Sequence, residues 1–233
     1  MNEVKFHPVS SVPFQLDVRP VRASNMIPEW YKQQPFGDDK PSATIKRCMP
    51  ILDMMSAGYM YVMPADVWID ATNPNFLDFG LQDESIRSYT PQILTDHQHY
   101  QYDHYPIDPI YHKEVMRVNP LWAIETPPGY STLFIEPTHR YPTPIKAIPG
   151  IIDTDSFASS GFLSFNVLAG FKGIVKQGTP LIQMIPFLRE DWESKWGSVT
   201  IDNMDVIKEQ HKKLKHSDKK HAYRDMFRKI KRW

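Results

Sequence analysis

The sequence predicts a mainly-β, loop-rich fold, and three observations carry that expectation. Short apolar runs recur at regular spacing from Leu121 to Phe187, with no helical stretch between them. Aromatic residues are plentiful (12 Phe, 11 Tyr and 6 Trp), and they favour strands and packed loops over helix bundles. Proline reaches 21 of 233 residues while glycine stays at 10, so long helices are interrupted through most of the chain. Charged residues make up 23% and hydrophobic residues 41%, a balance that excludes wholesale disorder and a collagen-like fibre. A chain of this length can bury a core without metal or disulfide staples.

Residues 1–42 read as an irregular N-terminal wrap. Pro8, Pro13, Pro20, Pro28, Pro35 and Pro41 interrupt it and leave room for one short helix between Ser24 and Gln33. Within it, Ile27-Pro28-Glu29-Trp30-Tyr31 presents large aromatics that need a surface to bury against. The β-rich domain spans 43–190. Its opening, Ala43 to Val62, is dense in Met, Ile, Leu and Tyr and enters the core, and Val67-Trp68-Ile69 is a short strand. Asn73 to Asp108, polar and aromatic, reads as a long excursion over the surface. Strands are then expected at Leu121–Glu125, Tyr130–Ile135, Pro144–Ile152, Gly161–Leu168 and Pro180–Phe187, divided by Pro- and Gly-bearing breaks. Alternation in the fourth of these sets Leu163, Phe165 and Val167 on one face.

Residues 191–233 read as a helical, basic tail. The overall charge is zero, from 27 basic and 27 acidic residues. Residues 208–233, however, hold eleven Lys and Arg against Glu209, Asp218 and Asp225, or +8, which leaves −8 on the body. From Ser217, a suitable N-cap, the residues Ala222, Tyr223, Met226, Phe227, Ile230 and Trp233 recur at steps of mainly three and four. A helix with that stripe is expected to dock on protein, either its own acidic body or a neighbouring subunit of a homo-oligomer, ahead of nucleic acid. The longest uncharged run, Ser156 to Phe171, is broken by Ser, Gly and Asn and cannot be a membrane helix. The N-terminus lacks the apolar region of a signal peptide. Cys48 is the single cysteine, so neither an intramolecular disulfide nor a thiolate zinc cluster can form from this chain alone. Beside Met49, Ile51 and Leu52 it reads as a small buried hydrophobe in a reducing, cytoplasm-like compartment.

Two constellations could carry chemistry. In Asp96-His97-Gln98-His99, the two imidazoles would share a strand face, with His104 and His112 further on. Ligation by His97, His99 and His104 would suit zinc or non-haem iron in a metal-dependent oxygenase or hydrolase. The alternative is that these histidines satisfy backbone groups in a packed loop. The second constellation is an ordered set of segments: Ser56-Ala57-Gly58-Tyr59-Met60, Pro127-Pro128-Gly129-Tyr130-Ser131, Gly150-Ile151-Ile152-Asp153-Thr154-Asp155 and Gly178-Thr179-Pro180-Leu181-Ile182-Gln183-Met184-Ile185. An aspartate at a strand end, such as Asp153, can position a water or a hydroxyl, and an amide such as Gln183 on an apolar strand needs partners. Equally, Asp153 and Asp155 could cap a turn while Gln183 bonds neighbouring backbone.

Taken in order, these segments resemble the motifs of the dUTPase and dCTP deaminase family. The resemblance implies a β-clip fold, a trimer with ligand sites between subunits, and a nucleotide-related small ligand, with a divalent metal as a possible cofactor. It places Asp153 and Asp155 as catalytic residues, and Gln183, Ser131, Tyr59 and Phe157 as ligand contacts. Three departures point to binding without efficient dUTP hydrolysis. Met60 stands where the family has an acid, and Phe157 lies one position later than the family's aromatic. The basic helix replaces the glycine-rich arm. A second set, Ile27–Tyr31, Lys46–Pro50, Thr126–Ser131 and Lys176–Pro180, is similar to an uncharacterised family from tailed phages and bacteria. It implies a bacteriophage setting, in host cytoplasm or virion, and supplies no activity. The Pro-rich aromatic N-terminus and docking-type tail also fit a non-enzymatic virion or host-interaction assembly protein.

Overall fold

The computed structural model describes residues 3–37, 44–97, 99–158, 163–197, 201–215 and 222–231. The N-terminal segment supplies a strand, β1 (Lys5–Pro8), a helical turn, α1 (Val12–Gln15), a two-residue strand, β2 (Val21–Arg22), and α2 (Glu29–Gln33). Proline explains their brevity. Pro13 occupies the first turn of α1, where a missing N–H costs nothing, and Pro28 caps α2. The helix expected over Ser24–Gln33 is therefore two pieces, a 3-10 turn at Ala23–Met26 and then α2. Next come α3 (Met49–Met55), β3 (Tyr59–Val62), β4 (Val67–Asp70), β5 (Asp78–Leu81), α4 (Thr90–Ile93), β6 (Leu94–Asp96) and β7 (Tyr111–Val118). Cys48 caps α3 and is half-buried rather than sealed. The strands β8 (Trp122–Glu125), β9 (Tyr130–Ile135), β10 (Ile145–Ala147), β11 (Gly150–Ile152), β12 (Leu163–Leu168), β13 (Lys172–Val175) and β14 (Pro180–Leu188) follow, then helices α5 (Ile201–Lys215) and α6 (Ala222–Met226).

The chain is mainly β, and every strand pairing is antiparallel. A five-stranded sheet runs β11-β9-β14-β3-β2 and a four-stranded sheet β10-β12-β7-β6, with a three-stranded sheet β13-β4-β5 and the pair β1-β8 beside them. One apolar cluster joins the three larger sheets, drawing Phe134 and Ile182 from the first, Met116 and Phe165 from the second, and Ile69 and Leu81 from the third. The single strand expected over Pro144–Ile152 is divided. Ile148 still donates its N–H to the Ser164 carbonyl (2.8 Å), but Pro149 has none to give, and the chain crosses from β12's side to β9's. Gly58 adopts φ +66, and a Cβ there would collide with the Met184 carbonyl of β14, so glycine is required at the head of β3.

The tail docks on the body through charge. Asp53, on α3 and only 7% exposed, accepts from Arg228 Nη2 (2.6 Å) and Lys231 Nζ (2.7 Å). The expected apolar stripe contributes less. Ala222 is buried, but Tyr223 and Met226 are exposed and Ile230 is 81% exposed. Ser217 and Trp233 lie outside the described residues. No helix among the described residues is long and apolar enough to cross a membrane.

Candidate functional site

Strand register gathers three of the residues singled out by the sequence at one end of the five-stranded sheet. β9 begins at Tyr130 and runs beside both β11 and the end of β14. The buried Ser131 hydroxyl on β9 donates to Asp153 Oδ1 just beyond β11 (2.6 Å). Two residues on, Asp155 accepts from the Gly129 N–H (2.8 Å) and binds Arg189 through both Nη atoms, Nη1 to Oδ1 at 3.0 Å. Arg189 Nη1 also reaches the Tyr130 carbonyl (2.9 Å) and Ser131 Oγ (3.0 Å), and lies 3.4 Å from Asp153 Oδ1. The guanidinium holds the Asp155 carboxyl well below its usual range, at about 2. The Asp153 side chain is 64% exposed. Between the two carboxylates Thr154 is fully buried, its hydroxyl bonded to Thr126 (2.7 Å) and Thr132 (2.8 Å), which fixes the turn. Phe157 ends that turn, donating its N–H to the Asp153 carbonyl (2.9 Å), with the ring exposed.

The other two expected contacts lie elsewhere. Gln183 is fully buried further along β14. Its Oε1 accepts from the Thr138 N–H (3.2 Å) and hydroxyl (3.1 Å), and its Nε2 donates to the Met54 (2.7 Å) and Ala57 (2.8 Å) carbonyls. Both donors and both acceptor sites of the amide are spent on the protein. Tyr59 is half-buried on β3, edge-on to Phe6 with centroids 5.0 Å apart. Arg189 was missed by sequence reasoning. Only the pairing of Leu188 with Tyr130 brings it beside Asp155, and register is not readable from a single chain.

The His-rich excursion closes over the four-stranded sheet and makes a cavity of about 340 Å³. The face of β12 opposite Leu163, Phe165 and Val167 presents Ser164, and His97 Nε2 lies 2.9 Å from its Oγ. His97 Nδ1 is 3.1 Å from Gln101 Oε1, and the Tyr102 hydroxyl donates to Ser164 Oγ (3.2 Å). Because Gln101 Oε1 can only accept, Nδ1 carries the proton and Nε2 accepts from Ser164. Phe134, Ile148, Ile152, Leu163 and Ile182 make the rest of the wall, with Gly150 at the lip. A larger depression of about 700 Å³ flanks Tyr102, in which Glu114 accepts from the Leu77 N–H (2.7 Å) and Lys113 donates to Asn75 (3.0 Å).

For a metal, the picture is less favourable. His97 has both ring nitrogens engaged, His104 is exposed, and the His99 side chain lies outside the described set. Among the described residues no group of three His, Cys, Asp or Glu is placed to hold a metal ion. No family model matches the chain, and no curated protein matches it significantly.

Proposed function

We propose that the chain binds a small, nucleotide-related ligand in the cavity between β11 and the His97–Tyr102 loop, on a dUTPase-like β-clip architecture and without efficient dUTP hydrolysis. The observation that carries this reading is the make-up of the cavity. One wall, Gly150 and Ile152, belongs to the segment on which the family resemblance rests, and the other offers His97, Ser164 and Tyr102. A nucleobase has apolar faces and a polar edge: the aliphatic wall suits the faces, and the hydroxyl oxygens of Tyr102 and Ser164, whose hydrogens are spent on Ser164 and His97, can still accept from the edge. Asp153 follows Ile152 directly, and its Oδ2 has no partner among the described residues, so a ligand hydroxyl can use it. Asp155 is engaged by Arg189 and the Gly129 N–H, and Met60 stands where the family has its first-motif acid; both features fit weak hydrolysis. The test is a thermal-shift panel of nucleosides, deoxynucleotides and cyclic nucleotides on the wild type and His97→Ala. Stabilisation by at least one ligand, lost in the variant, is expected; no shift from any of them at millimolar concentration refutes the reading.

A second reading, an assembly protein, is favoured by a different observation. Trp192 is 86% and Trp196 99% exposed, on the segment between β14 and α5. Large aromatics left in water at that level mark an interaction surface.

A further inference from the structure

The loop Glu136–Pro144, between β9 and β10, closes a second cavity of about 210 Å³ against Pro28, Pro180 and Leu181. Arg140 lines it. The guanidinium Nε and Nη2 are sealed from water, and neither has a hydrogen-bond partner. Desolvation lowers the Arg140 pKa, yet an arginine stays charged. A cation withdrawn from water without a counter-charge is costly, and folded proteins rarely keep one without a reason. Glu136, four residues earlier, lines the same cavity but makes no ion pair with Arg140, and its side chain is exposed. The Thr143 hydroxyl is spent on the Ile145 carbonyl (2.5 Å), and Tyr141 is 75% exposed at the rim. Most of the remaining lining is proline and aliphatic.

We propose that this cavity binds a small organic anion, with Arg140 as the anchor for its oxyanion group and the proline-lined wall for its short apolar body. Nη1 is the guanidinium nitrogen not sealed by the protein, so it makes the first contact. A carboxylate or phosphate oxygen there would supply the counter-charge that the described residues do not. Glu136 sets the opposing term, because its carboxylate repels an incoming anion at the rim. No lining residue is shared with the cavity around His97, so each site can fail without the other.

The experiment titrates butyrate, acetate and inorganic phosphate into the full chain at matched ionic strength, followed by calorimetry and thermal shift. It compares wild type, Arg140→Met and Glu136→Gln. Butyrate is expected to bind more tightly than acetate, and phosphate to bind only weakly if the apolar wall contributes; phosphate binding best would instead identify a phosphate-bearing ligand at the same anchor. Arg140→Met should weaken binding by roughly tenfold or more, and Glu136→Gln should tighten it several-fold. Without added anion, Arg140→Met should be as stable as wild type or more so, since removing an uncompensated charge leaves nothing unpaired. The proposal is overturned if no anion binds wild type at tens of millimolar, or if Arg140→Met binds equally well. Destabilisation by Glu136→Gln, or by Arg140→Met in anion-free buffer, overturns it too, because Arg140 would then have a protein partner in solution.

Discussion

At Gln183 four hydrogen bonds meet on one amide, and they join β14, the end of α3 and the loop after β9. Replacing Gln183 with Leu strands two carbonyls and two donors in the interior, which should cost about 2–4 kcal/mol of stability in urea denaturation. Glu at this position should be worse, since an acceptor would then face the Met54 and Ala57 carbonyls. A variant as stable as wild type would show that the amide is not structural. Asp155 gives a pH-dependent counterpart. Its carboxyl titrates at about 2, below the ordinary 3.8, so its contribution to stability is complete above about pH 4 and is lost as pH falls through about 2. Arg189→Gln should return the Asp155 titration, followed by carboxyl NMR, toward the ordinary value. Both residues show what a sequence exposes and what it hides. Gln183 reads as a buried amide needing partners because it interrupts Leu181, Ile182, Met184 and Ile185. Whether those partners are ligand or backbone depends on the Gly58 turn and the Thr138 loop coming together, and no local pattern encodes that. The glycine itself is legible only once β14 is known to pass behind it.

At the scale of elements, runs free of charged residues were legible as strands even where they bury a serine, threonine or glutamine, and a run broken by charged residues was not. Tyr130–Ile135 is β9 at the same boundaries as expected, and β14 ends one residue later than expected. β7 escaped because His112, Lys113, Glu114 and Arg117 break its apolar pattern. Yet His112 is buried on this strand, with Nε2 bonded to the Asn73 carbonyl (2.9 Å) and Nδ1 accepting from the Glu114 N–H (3.0 Å). The tail is the informative mismatch. Its apolar spacing predicts docking through Tyr223, Met226 and Ile230, while α3 holds it through Asp53. The Arg228 and Lys231 contacts keep the Asp53 carboxyl below its ordinary value, so this attachment is intact above the ordinary aspartate range and is lost as acid protonates the group. Asp53→Asn should therefore release residues 222–231 at neutral pH. The loss should be about 1–3 kcal/mol, short of a fully buried pair because Lys231 is partly exposed. Limited proteolysis is the check: trypsin should cut at Arg228 far faster in the variant. Equal cutting rates would mean that other contacts hold the tail.

For the whole molecule, the charge asymmetry read from the sequence takes on a geometry. Two of the tail's eleven basic residues, Arg228 and Lys231, are used within the chain at Asp53, and four more, Lys208, Lys212, Lys213 and Lys215, lie on α5. This helix carries Asp202 and Asp205 near its start, Lys212, Lys213 and Lys215 near its end, and the stripe Met204, Ile207, His211 and Leu214, exposed throughout. Antiparallel pairing with a second copy, centred on Glu209, sets Met204 against the second copy's Leu214 and Asp205 against its Lys213. Parallel pairing would instead set like charges side by side. Each apolar side chain on the stripe gains only about 1 kcal/mol when its exposed part is covered. Association costs about 4–15 kcal/mol, so the helix alone is too small, and Trp192 and Trp196 must add their area for a dimer to persist. The expected outcome is a concentration-dependent dimer by sedimentation. Asp205→Lys should shift it toward monomer, and Asp205→Lys combined with Lys213→Asp should restore it, because each copy then carries both reversed partners. Ala at both Trp192 and Trp196 should abolish it. A chain monomeric at high concentration removes self-association through this surface, and a dimer indifferent to the charge reversal places the contact on another face.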